Sequence, residues 1–159
     1  MGISIKYYRI SKAENAKDLV DLEKEIEAAK DTVLDLYQMT LDLGIIFLNT
    51  ADPYEDTKAI GYKILFGNYI REVTGDYVCN GFIPTSEIPL INQWIKEKQL
   101  ESLEGFRKLF DNISDEAKEE LIAADSPSVE DLYRGYVVHL VKFYDAAQKE
   151  NNSVIIRGE

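Results

Sequence analysis

Apolar positions change period several times along the chain, and each change marks an element. Residues 3–10, with Ile3, Ile5, Tyr7, Tyr8 and Ile10, mostly alternate apolar and polar and are β-branched or aromatic, which predicts a strand. Ser11 followed three positions on by Glu14 forms a capping box, so a helix is expected from about Lys12. Its apolar stripe would be Ala16, Leu19, Leu22, Ile26 and Ala29, opposite Lys17, Asp18, Asp21, Glu25 and Glu27. Val33-Leu34-Asp35-Leu36 fits a short strand, and residues 41–48 read as a buried helix. Asp52-Pro53-Tyr54-Glu55 offers an N-cap, a proline at the first helical position and an acid at the third. That helix should end near Gly67.

Glycines at 75 and 81 bracket Tyr77-Val78-Cys79, and Phe82-Ile83 precede Pro84, which marks an internal strand. Thr85 or Ser86 is then placed to cap a helix bearing Ile88, Ile91, Trp94 and Ile95. Gly105 and Asn112 punctuate shorter helices over about 106–110 and 115–124. Ser126-Pro127 opens the longest helix, to about Lys149, and Asn151-Asn152 turns into a closing strand, Ser153-Val154-Ile155-Ile156. No repeat or linker interrupts the series. The expectation is one compact domain over 1–159, α/β or α+β, with several helices packed on a small mixed sheet that includes both chain termini.

The last helix carries an irregularity. At about 100° per residue, Val129, Leu132, Tyr133, Tyr136, Leu140, Phe143 and Ala147 share one arc. Asp131, Arg134, Lys142, Asp145 and Lys149 lie opposite, but Val138 and Val141 face that polar side too. A helix apolar nearly all round for a turn or two is central to its fold or covered by a partner.

Charge narrows the function classes. Lys and Arg number 18 and Asp and Glu 29, a net charge of −11. A surface this acidic repels nucleic acid and anionic membrane, so neither is expected as a partner. The start, Met1-Gly2-Ile3-Ser4-Ile5-Lys6, lacks the basic and long apolar regions of a secretory signal. The most apolar run, Leu43-Gly44-Ile45-Ile46-Phe47-Leu48, is about a third of the roughly 20 residues a membrane span needs. With Cys79 the only thiol, a reducing compartment fits and the cytoplasm is the expected location.

Motifs for catalysis or cofactors are absent: no G-x-G-x-x-G after a strand, no phosphate-binding loop, no H-E-x-x-H, no G-x-S-x-G and no EF-hand loop. One cysteine cannot form an internal disulfide, and one histidine cannot build a multi-histidine metal site. No cofactor, metal or catalytic residue is therefore assigned. His139 lies at the margin of the last helix's apolar arc, and neither it nor Cys79 has a local partner that would make it a base or a nucleophile. Ten tyrosines are many for this length; they suit a core, a ligand cleft or a protein interface, since each joins an apolar ring to a polar tip.

The acids are unevenly spread. Residues 111–131 hold eight (Asp111, Asp115, Glu116, Glu119, Glu120, Asp125, Glu130 and Asp131) against Lys118 alone, a net −7 in 21 of 159 residues. Such a face is either solvated for solubility or a docking surface for a basic protein, in which case Glu116, Glu119 and Glu120 would meet the partner.

The order of segments resembles the YfbM-like family of small bacterial proteins. The residues that carry the likeness are the Met-Gly start into a strand, Leu34-Asp35-Leu36 before an apolar helix ending Ile46-Phe47-Leu48-Asn49-Thr50, and Ala59-Ile60-Gly61-Tyr62-Lys63-Ile64-Leu65-Phe66-Gly67. Phe82-Ile83-Pro84-Thr85-Ser86-Glu87 and the close from Val141 to Ile156 add to it. The resemblance implies a compact bacterial α/β domain and no known activity. It also implies a Trp-Asp and a His-Phe pair in the second apolar helix, where this chain has Asp42-Leu43 and Ile46-Phe47, so a site built on that Trp and His would be missing. Two functions stand open. One is a non-enzymatic protein-binding or regulatory module, of the immunity type for example, favoured by the acidic surface and the missing catalytic signatures. The other is a small-ligand binder or hydrolase-like enzyme whose site of tyrosines and carboxylates converges only in three dimensions.

Overall fold

The computed structural model describes residues 4–14, 22–29, 33–70 and 80–158. Five strands among them form one sheet: β1 (Ile5–Ile10), β2 (Leu34–Asp35), β3 (Asn68–Tyr69), β4 (Gly81–Ile83) and β5 (Ser153–Gly158), in the order β2-β1-β5-β4-β3. The expected strands near both termini pair with each other along their whole length, from Ile5 opposite Gly158 to Ile10 opposite Ser153. The sheet expected to be mixed is antiparallel at every pairing described. The β1–β2, β3–β4 and β4–β5 connections each return the chain to the end of the sheet it left, as antiparallel neighbours allow. β2 and β3, at opposite edges, run the same way, so the segment between them crosses to the far end.

Alternation along the strands divides the core in two. Tyr7, Val154 and Ile156 point into the larger cluster, while Tyr8, Ile10, Ile155 and Phe82 point into the smaller one on the other face. The smaller face is covered by α1 (Glu23–Ala28) through Leu22, Ile26 and Ala29, three residues of the expected stripe. The expected helix start at Lys12 is not observed. Ser153 Oγ accepts from Ala13 N at 2.8 Å and donates to Ala13 O, and Thr85 N also bonds that carbonyl, so residue 13 is held in extended contact with β5. Ala16, Leu19, Lys17, Asp18 and Asp21 lie outside the described residues, as do Ile3 and the strand expected at Tyr77-Val78-Cys79 with Gly75.

The larger face is covered by α2 (Met39–Leu48), α3 (Ile60–Phe66), α4 (Ile88–Glu97), α5 (Leu103–Asp111), α6 (Asp115–Ala123) and α7 (129–149). α2 is buried nearly all round, as its apolar sequence requires. The N-cap expected at Asp52 is not formed. Its Oδ1 accepts from Tyr54 N at 3.0 Å, an Asx turn that competes with helix entry, and α3 begins only at Ile60. Thr85 likewise does not cap α4; its hydroxyl is engaged with Ser153 Oγ at 2.8 Å, and a 3₁₀ turn, Thr85–Glu87, leads into the helix.

α3 ends inside the protein. Gly67, at φ 66°, turns the chain with its N–H on Lys63 O, and the next two orphan carbonyls are met by tyrosines. Tyr144 Oη donates to Ile64 O at 2.5 Å and Tyr7 Oη to Leu65 O at 2.7 Å. Gly81 passes so close that a Cβ there would stand 1.8 Å from Phe66 O. α7 contains a π turn over Tyr133–Val137, which adds one residue to the helical period. The buried series therefore runs Leu132, Tyr133, then Val137, Leu140, Phe143, Tyr144 and Ala147, and Tyr136, expected within the apolar arc, is only half-buried.

Candidate functional site

α6 presents the acidic face. Ser114 Oγ caps it by accepting from Ala117 N at 3.2 Å, and Ser114 N donates to Asn49 Oδ1 at 2.6 Å, fixing the helix start to the end of α2. Ala117 and Leu121 are buried, which leaves Glu116, Glu119 and Glu120 exposed on the other side. At about 100° per residue these three span roughly 100° of the helix, with Ile122 roughly 60° beyond Glu119. Ile122 is 79% exposed, and next to it Phe110, Leu121 and Pro127 line a shallow depression of about 210 Å³ with Ser126 and Lys118. Of the eight acids in 111–131, Glu130 pairs with Arg107 at 2.9 Å. The others make no ion pair among the described residues. Lys118 Nζ donates to the Asp111 carbonyl at 3.2 Å.

A second feature lies between α4 and α7. Asn92 Nδ2 donates to Tyr144 O at 3.0 Å and to Gln148 Oε1 at 2.7 Å, while Glu101, just beyond α4, acts on Tyr133 near the other end of α7. The two helices therefore run antiparallel. Between them is a groove of about 260 Å³, with Ile95, Val138 and Val141 as its apolar lining and Lys96, Lys142, Glu101 and Asp145 as its charged residues. Val138 and Val141, the valines on the polar side of the last helix, are half-buried in this groove. Tyr133 borders it with its hydroxyl pKa raised, first by burial and then by Glu101. None of the groove's polar residues stood out in the sequence; only the misplaced valines signalled it.

The other residues singled out in the sequence do not converge. His139 is exposed and takes part in no hydrogen bond or ion pair among the described residues. Cys79 lies outside them. The tyrosines divide between core and surface: Tyr7, Tyr8, Tyr133 and Tyr144 are buried, while Tyr69 on β3 is 79% exposed. Asp42 is buried in α2, where Ser126 Oγ donates to its Oδ2 at 2.8 Å and so ties the α6–α7 connection to the core. Among the described residues no three His, Cys, Asp or Glu side chains are placed to hold a metal ion, and no helix is long and apolar enough to cross a membrane.

The fold is thus an α+β domain with a five-stranded antiparallel sheet between a small and a large helical layer. Among solved structures it is similar to that of YfbM from Escherichia coli, a protein of unknown function, at 16% sequence identity, with 99% of each chain covered and a TM-score of 0.60. The likeness that segment order suggests therefore holds at the level of the fold. No protein-family model and no curated protein matches the chain.

Proposed function

We propose that this chain is a non-enzymatic protein-binding or regulatory module, of the immunity type, that docks a basic partner through the outer face of α6. What supports this is the exposed Ile122 beside Glu116, Glu119 and Glu120, none of which makes an ion pair among the described residues. An apolar spot within a charged rim is the usual anatomy of a protein interface. The carboxylates would speed encounter with a basic surface and make it salt-dependent, with a Debye length of about 8 Å at physiological ionic strength. Ile122 would supply the desolvated contact that slows dissociation.

The test is affinity capture at about 50 mM and 500 mM salt, followed by titration calorimetry with each purified basic protein retained. Glu116→Gln/Glu119→Gln/Glu120→Gln should weaken binding at low salt and flatten its salt dependence, while Ile122→Asp should weaken it at both. Failure to retain a basic protein at low salt, or equal binding by both variants, removes the docking face.

A further inference from the structure

Independently of α6, we propose that the groove between α4 and α7 is a binding site for a small amphipathic anion, an apolar tail carrying a carboxylate or phosphate head. Its floor is made by Ile95, Val138 and Val141, two of them valines that a purely solvated helix face would not carry. Lys96 and Lys142 line it from the two helices, both exposed, and neither has an ion-pair or hydrogen-bond partner among the described residues. Of the two acids on the lining, Asp145 is held by Lys149 at 2.8 Å, so its charge is balanced outside the groove. Glu101 stands at the far end beside Tyr133. The groove is therefore a place where positive charge unpaired among the described residues meets apolar surface in this strongly acidic chain.

Size and rigidity agree with that chemistry. A groove of about 260 Å³ falls just below the roughly 300–1,000 Å³ of pockets for drug-sized ligands, which limits the occupant to a short-chain or single-ring anion. Asn92 bridges Tyr144 O and Gln148 Oε1 and holds one end of the two walls together, so the site is formed before a ligand arrives. Ammonium compounds would face the two lysines and be repelled. A neutral chain would gain the floor contacts alone.

Two-dimensional ¹⁵N–¹H NMR titration of the full chain with hexanoate, hexyl phosphate, 1-hexanol, hexylamine and acetate tests this. Hexanoate or hexyl phosphate should shift the amides of Ile95, Val138 and Val141 in a saturable way, and which of the two binds more tightly identifies the head group. Hexanol should bind at least fivefold more weakly, with acetate and hexylamine silent. Lys96→Gln/Lys142→Gln, at exposed positions that leave the fold intact, should erase the preference for the anion over hexanol. Val141→Asp, checked for folding by circular dichroism, should abolish binding of the anion. The proposal is overturned if neither anion shifts those amides at 20 mM, if hexylamine binds as well, or if the double lysine variant keeps the preference.

Discussion

Tyr144 Oη donates to the Ile64 carbonyl from a fully buried side chain, and Tyr7 does the same for Leu65, so two of the abundant tyrosines complete the end of α3. Tyr144→Phe would leave Ile64 O buried without a donor, at a cost of about 1–3 kcal/mol. Burial raises the Tyr144 pKa well above 10.0, with Tyr7 adding to it. The unfolded chain gives up that proton near pH 10, before the folded protein does, so the hydroxyl's contribution is fully present below pH 10 and is lost as pH rises beyond it. Chemical denaturation of both proteins should therefore show a constant gap up to about pH 9 that narrows above pH 10. A gap that widens there would contradict the assignment.

At the scale of elements, regular periodicity was readable and long-range capture was not. β1 follows from alternation, α2 and β5 from continuous apolar runs, and the burial of Leu22, Ile26 and Ala29 from helical spacing. The helix start expected at Lys12 fails for a reason no local pattern contains, since Ala13 is held by Ser153, 140 positions away. The one at Asp52 fails locally, because the same side chain that could cap a helix closes an Asx turn on Tyr54 instead. The acidic face of α6 is contiguous in the chain and so was visible in advance. The groove was not, because Lys96 and Lys142 come to line one groove only when α4 lies on α7; Val138 and Val141 alone betrayed it. The π turn was equally hidden, and Gly135 sits within it with nothing inside 4 Å of where a Cβ would be. Gly135→Ala should stabilise the protein by roughly 0.5–1 kcal/mol by limiting the unfolded backbone, raising Tm by about 2 °C in calorimetry. A fall in Tm would show that the π turn relies on glycine there.

For the whole molecule the decisive fact is the position of β5, which has β1 on one side and β4 on the other. Its Val154, Ile155 and Ile156 are fully buried and feed both core clusters. Deleting residues 153–159 should abolish cooperative thermal unfolding rather than lower Tm slightly, because β1 and β4 would both be left as open edges. A truncated chain that melts like the full one would refute this arrangement. The same placement governs how the protein comes into being. β1 leaves the ribosome well ahead of β5, for its partner Gly158 lies 153 positions behind Ile5. A nascent chain must carry β1 with its β5-facing edge open until β5 has emerged, so closure of the sheet is a late, non-local step and folding a slow one. Throughout that interval β1 is open to pairing with a neighbouring nascent chain, and a chaperone that shields strands would raise the yield of folded protein.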